Sequence, residues 1–113
     1  MRLIKAYIRY RKMEEVYQAL EKNGFHSMTM MECEGTGQYA DQEHEHISSR
    51  YPFAEAYRVV KLEILVEKER VPELVELIRK NARTGYRGDG MVIVSPVEEV
   101  YKVRTDENGI SAI

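Results

Sequence analysis

One unit, a strand followed by a helix and a second strand, is written twice in this sequence, and that repetition constrains the fold more than any other feature. In the first copy Ile4, Ala6 and Ile8 alternate with Lys5 and Arg9, the period-two pattern of a half-buried strand. Met13, Val16, Tyr17 and Leu20 then fall at i, i+3, i+4 and i+7. This spacing predicts a helix with those four on its apolar face and a stop at Gly24. "SMTMMECEG" follows as the second strand. In the other copy Val60, Leu62, Ile64 and Val66 alternate with Lys61, Glu63 and Glu67, the clearest strand signal in the chain. Pro72 suits the first turn of a helix whose face is Val71, Leu74, Val75, Ile78 and Ala82, with Gly85 at its end. "MVIVSPVEEVYKV" then supplies a strand, a break at Pro96 and a short final strand.

Two such units in succession predict the α+β class and a ferredoxin-like βαββαβ sandwich, a four-stranded antiparallel sheet with both helices on one face. A length of 113 residues suits one domain, 1–113, with one modest core. The arrangement strands Leu3, Tyr7 and Leu65 on the sheet face that the helices do not reach. Self-association would bury that face, and is expected over the alternative of a monomer with a partly solvated sheet face.

Charge and composition narrow the partners. The formal net charge is −2, so no global basic field points to nucleic acid. No apolar run reaches membrane-spanning length, and "MRLIKAYIRYRKMEEV" has no signal-peptide apolar core, so membrane insertion is not expected. One cysteine, Cys33, excludes an internal disulfide framework. A cytoplasmic location is the simplest expectation.

Between the two units, residues 36–57 show neither helical nor strand period. An aperiodic stretch of about twenty residues inside a compact domain is usually functional or disordered. It is polar and acidic, and Tyr39, Glu43, Glu45, Arg50 and Tyr51 are its candidates for contact with a partner. His44 and His46 share a side if the segment is extended. With a nearby carboxylate they form an alternative site for zinc or another divalent metal, which would make the chain a metal-sensing module linked to ion transport. Nothing local would lower the thiol pKa of Cys33, so a nucleophilic Cys–His pair is not expected.

Three short stretches bear on ligand binding. "TGYRGDG" places Gly85, Gly88 and Gly90 where positive φ and close backbone approach are possible, and successive N–H groups in such a loop can converge on an anion. No Lys-Ser or Lys-Thr follows, so it is not a P-loop, and spacing alone is equally satisfied by a helix-to-strand turn. "EGTGQ" puts Gly35 and Gly37 at the exit of the second strand. "KVRTDENG" puts Lys102 and Arg104 on one side of an extended segment, where two cations can meet phosphate oxygens or simply face solvent.

In combination, "GTG", the long loop, "VVKLEIL", "TGYRGDG", "VSPVEEVYKVRT" and the ending "SAI" resemble the nitrogen-regulatory P-II signal-transduction family across essentially the whole chain. The resemblance implies a homotrimer of ferredoxin-like subunits with inward-facing sheets and an adenine nucleotide (ADP, AMP or ATP, with or without Mg) in each inter-subunit cleft. It makes residues 36–57 the mobile T-loop, 84–91 the B-loop and 102–113 the C-loop. By position it assigns Thr29 and Leu65 to the adenine, Gly35 and Gly37 to the T-loop base, Gly88, Asp89 and Gly90 to the phosphate-cradling turn, and Lys102 and Arg104 to the phosphates. The family's usual lysine after Gly-Asp-Gly is Met91 here. An arginine is replaced by Lys102, the T-loop base continues with Gln38 and Tyr39, and Val59 holds another lysine position. These differences remove positive charge from the place of a triphosphate tail, so the expectation is that ADP or AMP is preferred over ATP, or that ATP is bound through altered contacts. The implied function is regulation of a transporter or metabolic enzyme. No residue offers a general base aimed at a phosphate, so the chain is not read as an enzyme.

Overall fold

A computed structural model of the chain describes residues 1–36 and 57–113. Its elements run β1 Arg2–Arg9, α1 Met13–Lys22, β2 Thr29–Gly35, β3 Tyr57–Val66, α2 Val71–Ala82 and β4 Met91–Pro96, with single 3-10 turns at Tyr10–Lys12, Lys68–Arg70 and Gly109–Ala112. The strands form one sheet in the order β2-β3-β1-β4, and every neighbouring pair is antiparallel. The fold is the α+β ferredoxin-like arrangement that the doubled unit predicts.

The alternation of β1 and β3 sets the core. Ile4, Ala6 and Ile8 of β1 pair with Ile64, Leu62 and Val60 of β3, and all six are buried. Val16 and Leu20 of α1 and Leu74, Ile78 and Ala82 of α2 close over them. Tyr17, expected on the same helical face, is 39% exposed. The stripe of α1 that meets the sheet is narrow, and Tyr17 lies on its flank.

The end of α1 shows how local sequence fixes a boundary. Gly24 has φ 86°. The Phe25 N–H donates to the Leu20 carbonyl (2.9 Å) and the Gly24 N–H to that of Glu21 (3.2 Å), the two crossed bonds of a Schellman motif. Phe25 and Leu20 are both buried, supplying the hydrophobic contact that accompanies it. Arg70, at the entry to α2, lies 3.9 Å over the Phe25 ring and donates to the Asn23 carbonyl at 2.9 Å. One side chain thus ties the end of one helix to the start of the other.

Two boundaries differ from expectation. Helix α2 ends at Ala82 with Arg83 already extended, so Gly85 belongs to the following loop rather than to the helix cap. The final strand is reduced to an isolated bridge between Tyr101 and Asn108, held by Lys102 N–H to Glu107 O (3.0 Å) and Gly109 N–H to Val100 O (2.8 Å). The segment folds on itself and adds no strand to the sheet. Tyr101 and Val103 remain exposed.

Candidate functional site

The register assigns one residue set to the face opposite the helices. Leu3, Tyr7, Leu65, Met31, Met91 and Ile93 all lie there, with Met31 47% and Met91 61% exposed. Lys61 and Glu63 form a 3.2 Å ion pair among them. Cys33 is half-buried on this face. Burial raises its thiol pKa, outweighing the opposing influence of Lys61, so it stays protonated as the sequence suggests.

At one end of the sheet lies the glycine loop. Gly85, Gly88 and Gly90 have φ of 91°, 94° and 102°, the left-handed region that the sequence assigns them. At Gly90 the need is absolute, since a Cβ there would sit 1.7 Å from the Tyr7 carbonyl oxygen. Asp89 is not turned outward toward a ligand. Its carboxylate accepts from the N–H groups of Thr84 (2.9 Å) and Gly85 (3.0 Å) and from the Thr84 hydroxyl. It also accepts from Arg9 Nε at 2.9 Å. Burial pushes the Asp89 carboxyl up, but the Thr84 and Arg9 hydrogen bonds, joined by the backbone N–H bonds, overcome it and hold the pKa at about 2.

Arg9 is the residue that strand parity misplaces. Alternation with Ile8 puts it on the solvent side, yet it is 1% exposed. Besides Asp89, its Nη2 donates to the Arg87 carbonyl at 2.7 Å and reaches the Tyr86 carbonyl at 3.4 Å. The topology holds the signal for this contact. Continuing the β1–β4 register two residues past Tyr7↔Met91 brings Arg9 opposite Asp89. Arg79 of α2 and Arg83, just past its end, join Gly90 and Met91 around an adjoining groove of about 430 Å³.

The opposite end of the sheet holds a second group. Thr29 at the start of β2, Leu65 near the end of β3 and Lys102 line one groove of about 660 Å³ with Leu3, Val100 and Ile113. Thr29 faces Glu63 and Leu65 faces Leu3 across the ladders. Gly35 ends β2 opposite Tyr57, on the glycine-loop side, where a Cβ would lie 3.3 Å from the Val59 side chain. Within this chain Thr29 and Gly35 are thus roughly 20 Å apart along β2. The exposed Arg104 lines neither groove. Gly37, Tyr39, Glu43, His44, Glu45, His46, Arg50 and Tyr51 lie outside the described residues. Among the described residues there is no group of three His, Cys, Asp or Glu that could hold a metal ion, and no helix is long and apolar enough to cross a membrane.

The family model described as nitrogen regulatory protein P-II matches residues 1–107, a span that takes in both sheet ends and the Lys102–Arg104 segment. The chain belongs to the P-II family. Relatives agree over all or nearly all of their length. Nitrogen regulatory protein P-II 1 of Methanothermobacter thermautotrophicus is 41% identical over 113 residues, covering all of this chain and 97% of that protein. The P-II proteins of Microchaete diplosiphon and Rhizobium meliloti are 38% and 35% identical, each with full coverage of both chains. These relatives are named as regulatory proteins, in keeping with the sequence-based expectation of a signal transducer rather than an enzyme.

Proposed function

We propose that this P-II protein is an adenine-nucleotide-sensing regulatory subunit that works as a homotrimer and controls a transporter or a metabolic enzyme through residues 36–57. One observation carries the reading. The residues assigned to a nucleotide are divided between the two ends of one sheet: Thr29, Leu65 and Lys102 at one, Gly35 and Gly88–Gly90 at the other. One subunit cannot close them on one small ligand. Two neighbouring subunits, associated through the open face of Leu3, Tyr7, Met31, Met91 and Ile93, place half of each set against half of the next. Adenine then sits by Thr29 and Leu65, phosphates meet the glycine loop, and Lys102 and Arg104 close the cleft.

Regulation follows from the position of Gly35, at the root of the long loop. A nucleotide that contacts this root with different affinity in two loop conformations shifts their populations, and one conformation binds the partner. The exposed Met91 carries no charge toward a terminal phosphate, so ADP or AMP is favoured over ATP. Titration calorimetry with AMP, ADP and ATP, run beside sedimentation equilibrium, tests the proposal. Binding of ADP or AMP by a trimer supports it. A monomer, absence of nucleotide binding, or ATP bound tenfold more tightly than ADP counts against it.

A further inference from the structure

The contacts of Arg9 do more than neutralise Asp89. A trans peptide is planar, with its C=O and N–H pointing in opposite directions. Arg9 draws the carbonyls of Tyr86 and Arg87 toward itself. The N–H groups on the far sides of those two peptides, of Arg87 and Gly88, are therefore directed away from the buried guanidinium. The positive φ of Gly88, 94°, lets the chain turn while keeping this orientation. Successive N–H groups presented on one side form an anion-receiving concavity. Meanwhile the carboxylate of Asp89, which would repel an anion, is held against Arg9 at 2.9 Å and capped by Thr84 and Gly85.

We infer that Arg9 is the positioning residue that sets the glycine loop in its phosphate-receiving form, by fastening two loop carbonyls inward and holding the Asp89 carboxylate away from the ligand. This rests on the nucleotide reading above and adds to it a buried residue that does not itself touch the ligand. The effect is specific to phosphate. Adenosine, which carries the base and ribose but no phosphate, does not depend on it.

The experiment compares ADP and adenosine binding by calorimetry in the wild-type chain, Arg9→Met and Arg9→Lys. Arg9→Met keeps an unbranched stem of similar bulk to the aliphatic part of the arginine and removes its donors. Arg9→Lys keeps the buried charge and a donor but not the forked geometry, and guards against a methionine variant that fails to fold. The expected result is a loss of ADP affinity of about tenfold or more in Arg9→Met. A loss of about threefold is expected in Arg9→Lys, with adenosine affinity unchanged in every variant that folds. Amide shifts of Arg87 and Gly88 on adding ADP to labelled wild-type protein, weakened in Arg9→Lys, would add support. ADP bound at wild-type affinity by either folded variant overturns the inference, as does an equal loss for ADP and adenosine. A wild-type chain that binds neither ligand overturns the nucleotide reading itself, a separate and recognisable failure.

Discussion

Replacing Asp89 with asparagine separates charge from hydrogen bonding in the glycine loop. Asparagine retains an oxygen that can accept from Thr84 or Gly85, but it faces the Arg9 guanidinium, 1% exposed, without a negative charge. The Asp89 carboxyl titrates at about 2 rather than its ordinary 3.8. At about 1.4 kcal/mol per unit this favours the ionised folded form by roughly 2–3 kcal/mol. The Asp89 side chain is 26% exposed, and solvent screening brings the expected loss in Asp89→Asn to about 2 kcal/mol at pH 7. Because the folded pKa is depressed, the contribution is fully present above the unfolded value near 3.9 and is lost as pH falls through about 2. About half of it remains at pH ~3, so the stability gap between wild type and variant narrows by roughly 1 kcal/mol from pH 7 to pH 3. Urea denaturation of both proteins at matched concentration, at each pH, measures this directly. A gap below about 0.5 kcal/mol at pH 7, or one that does not narrow at pH 3, would refute the assignment of Asp89 as the ionised partner of Arg9.

Other substitutions probe the remaining contacts. Gly90→Ala forces a Cβ onto the Tyr7 carbonyl at a φ of 102°, and a loss of about 3 kcal/mol or more is expected in a thermal melt; a Tm near that of wild type would show that the loop is not held there. Arg70→Ala removes the stacking on Phe25 and the bond to the Asn23 carbonyl, and should cost about 1–2 kcal/mol in chemical denaturation, with no loss meaning that the two helix ends are tied elsewhere. Met91→Lys returns a cation to the exposed start of β4. It should raise ATP affinity by about tenfold in calorimetry with little change for AMP, and an unchanged ATP affinity argues that position 91 does not face the terminal phosphate.

The elements legible in the sequence are those written by local periodicity. Val60, Leu62, Ile64 and Val66 announce β3 because each neighbour in the pattern is also a neighbour on the sheet face. Gly24 announces the end of α1 because a Schellman motif needs positive φ at that one place. What escaped was decided by distant partners. Arg9 sits at a polar position of a regular alternation, and only the pairing of β1 with β4, eighty residues away in sequence, gives it acceptors. Gly85 looked like a helix stop, but Asp89 captures the N–H groups of Thr84 and Gly85 and draws the chain into the loop after Arg83 has already left the helix. The last strand is expected from "VEEVYKV", yet after the Val97 N–H, which donates to Met1 O, the backbone bonds of Val100 and Lys102 go to residues 109 and 107 of their own turn.

The same contacts explain how the glycine loop tolerates change at its edge. Tyr7 closes on Gly90 through its carbonyl and Arg9 on Asp89, Tyr86 and Arg87, so the last residues of β1 fix the loop from below. None of these contacts involves the side chain of residue 91, which is 61% exposed. Under the nucleotide reading, the cradle is therefore set by buried groups, while preference among phosphates is set by exposed ones such as Met91, Lys102 and Arg104. A backbone cradle carries partial rather than full charges, so its hold on a phosphate falls less steeply with salt than a lysine contact does. Raising ionic strength should accordingly weaken ADP binding less in the wild-type chain than in Met91→Lys, and an equal salt dependence in the two would place the binding energy in side-chain charge instead.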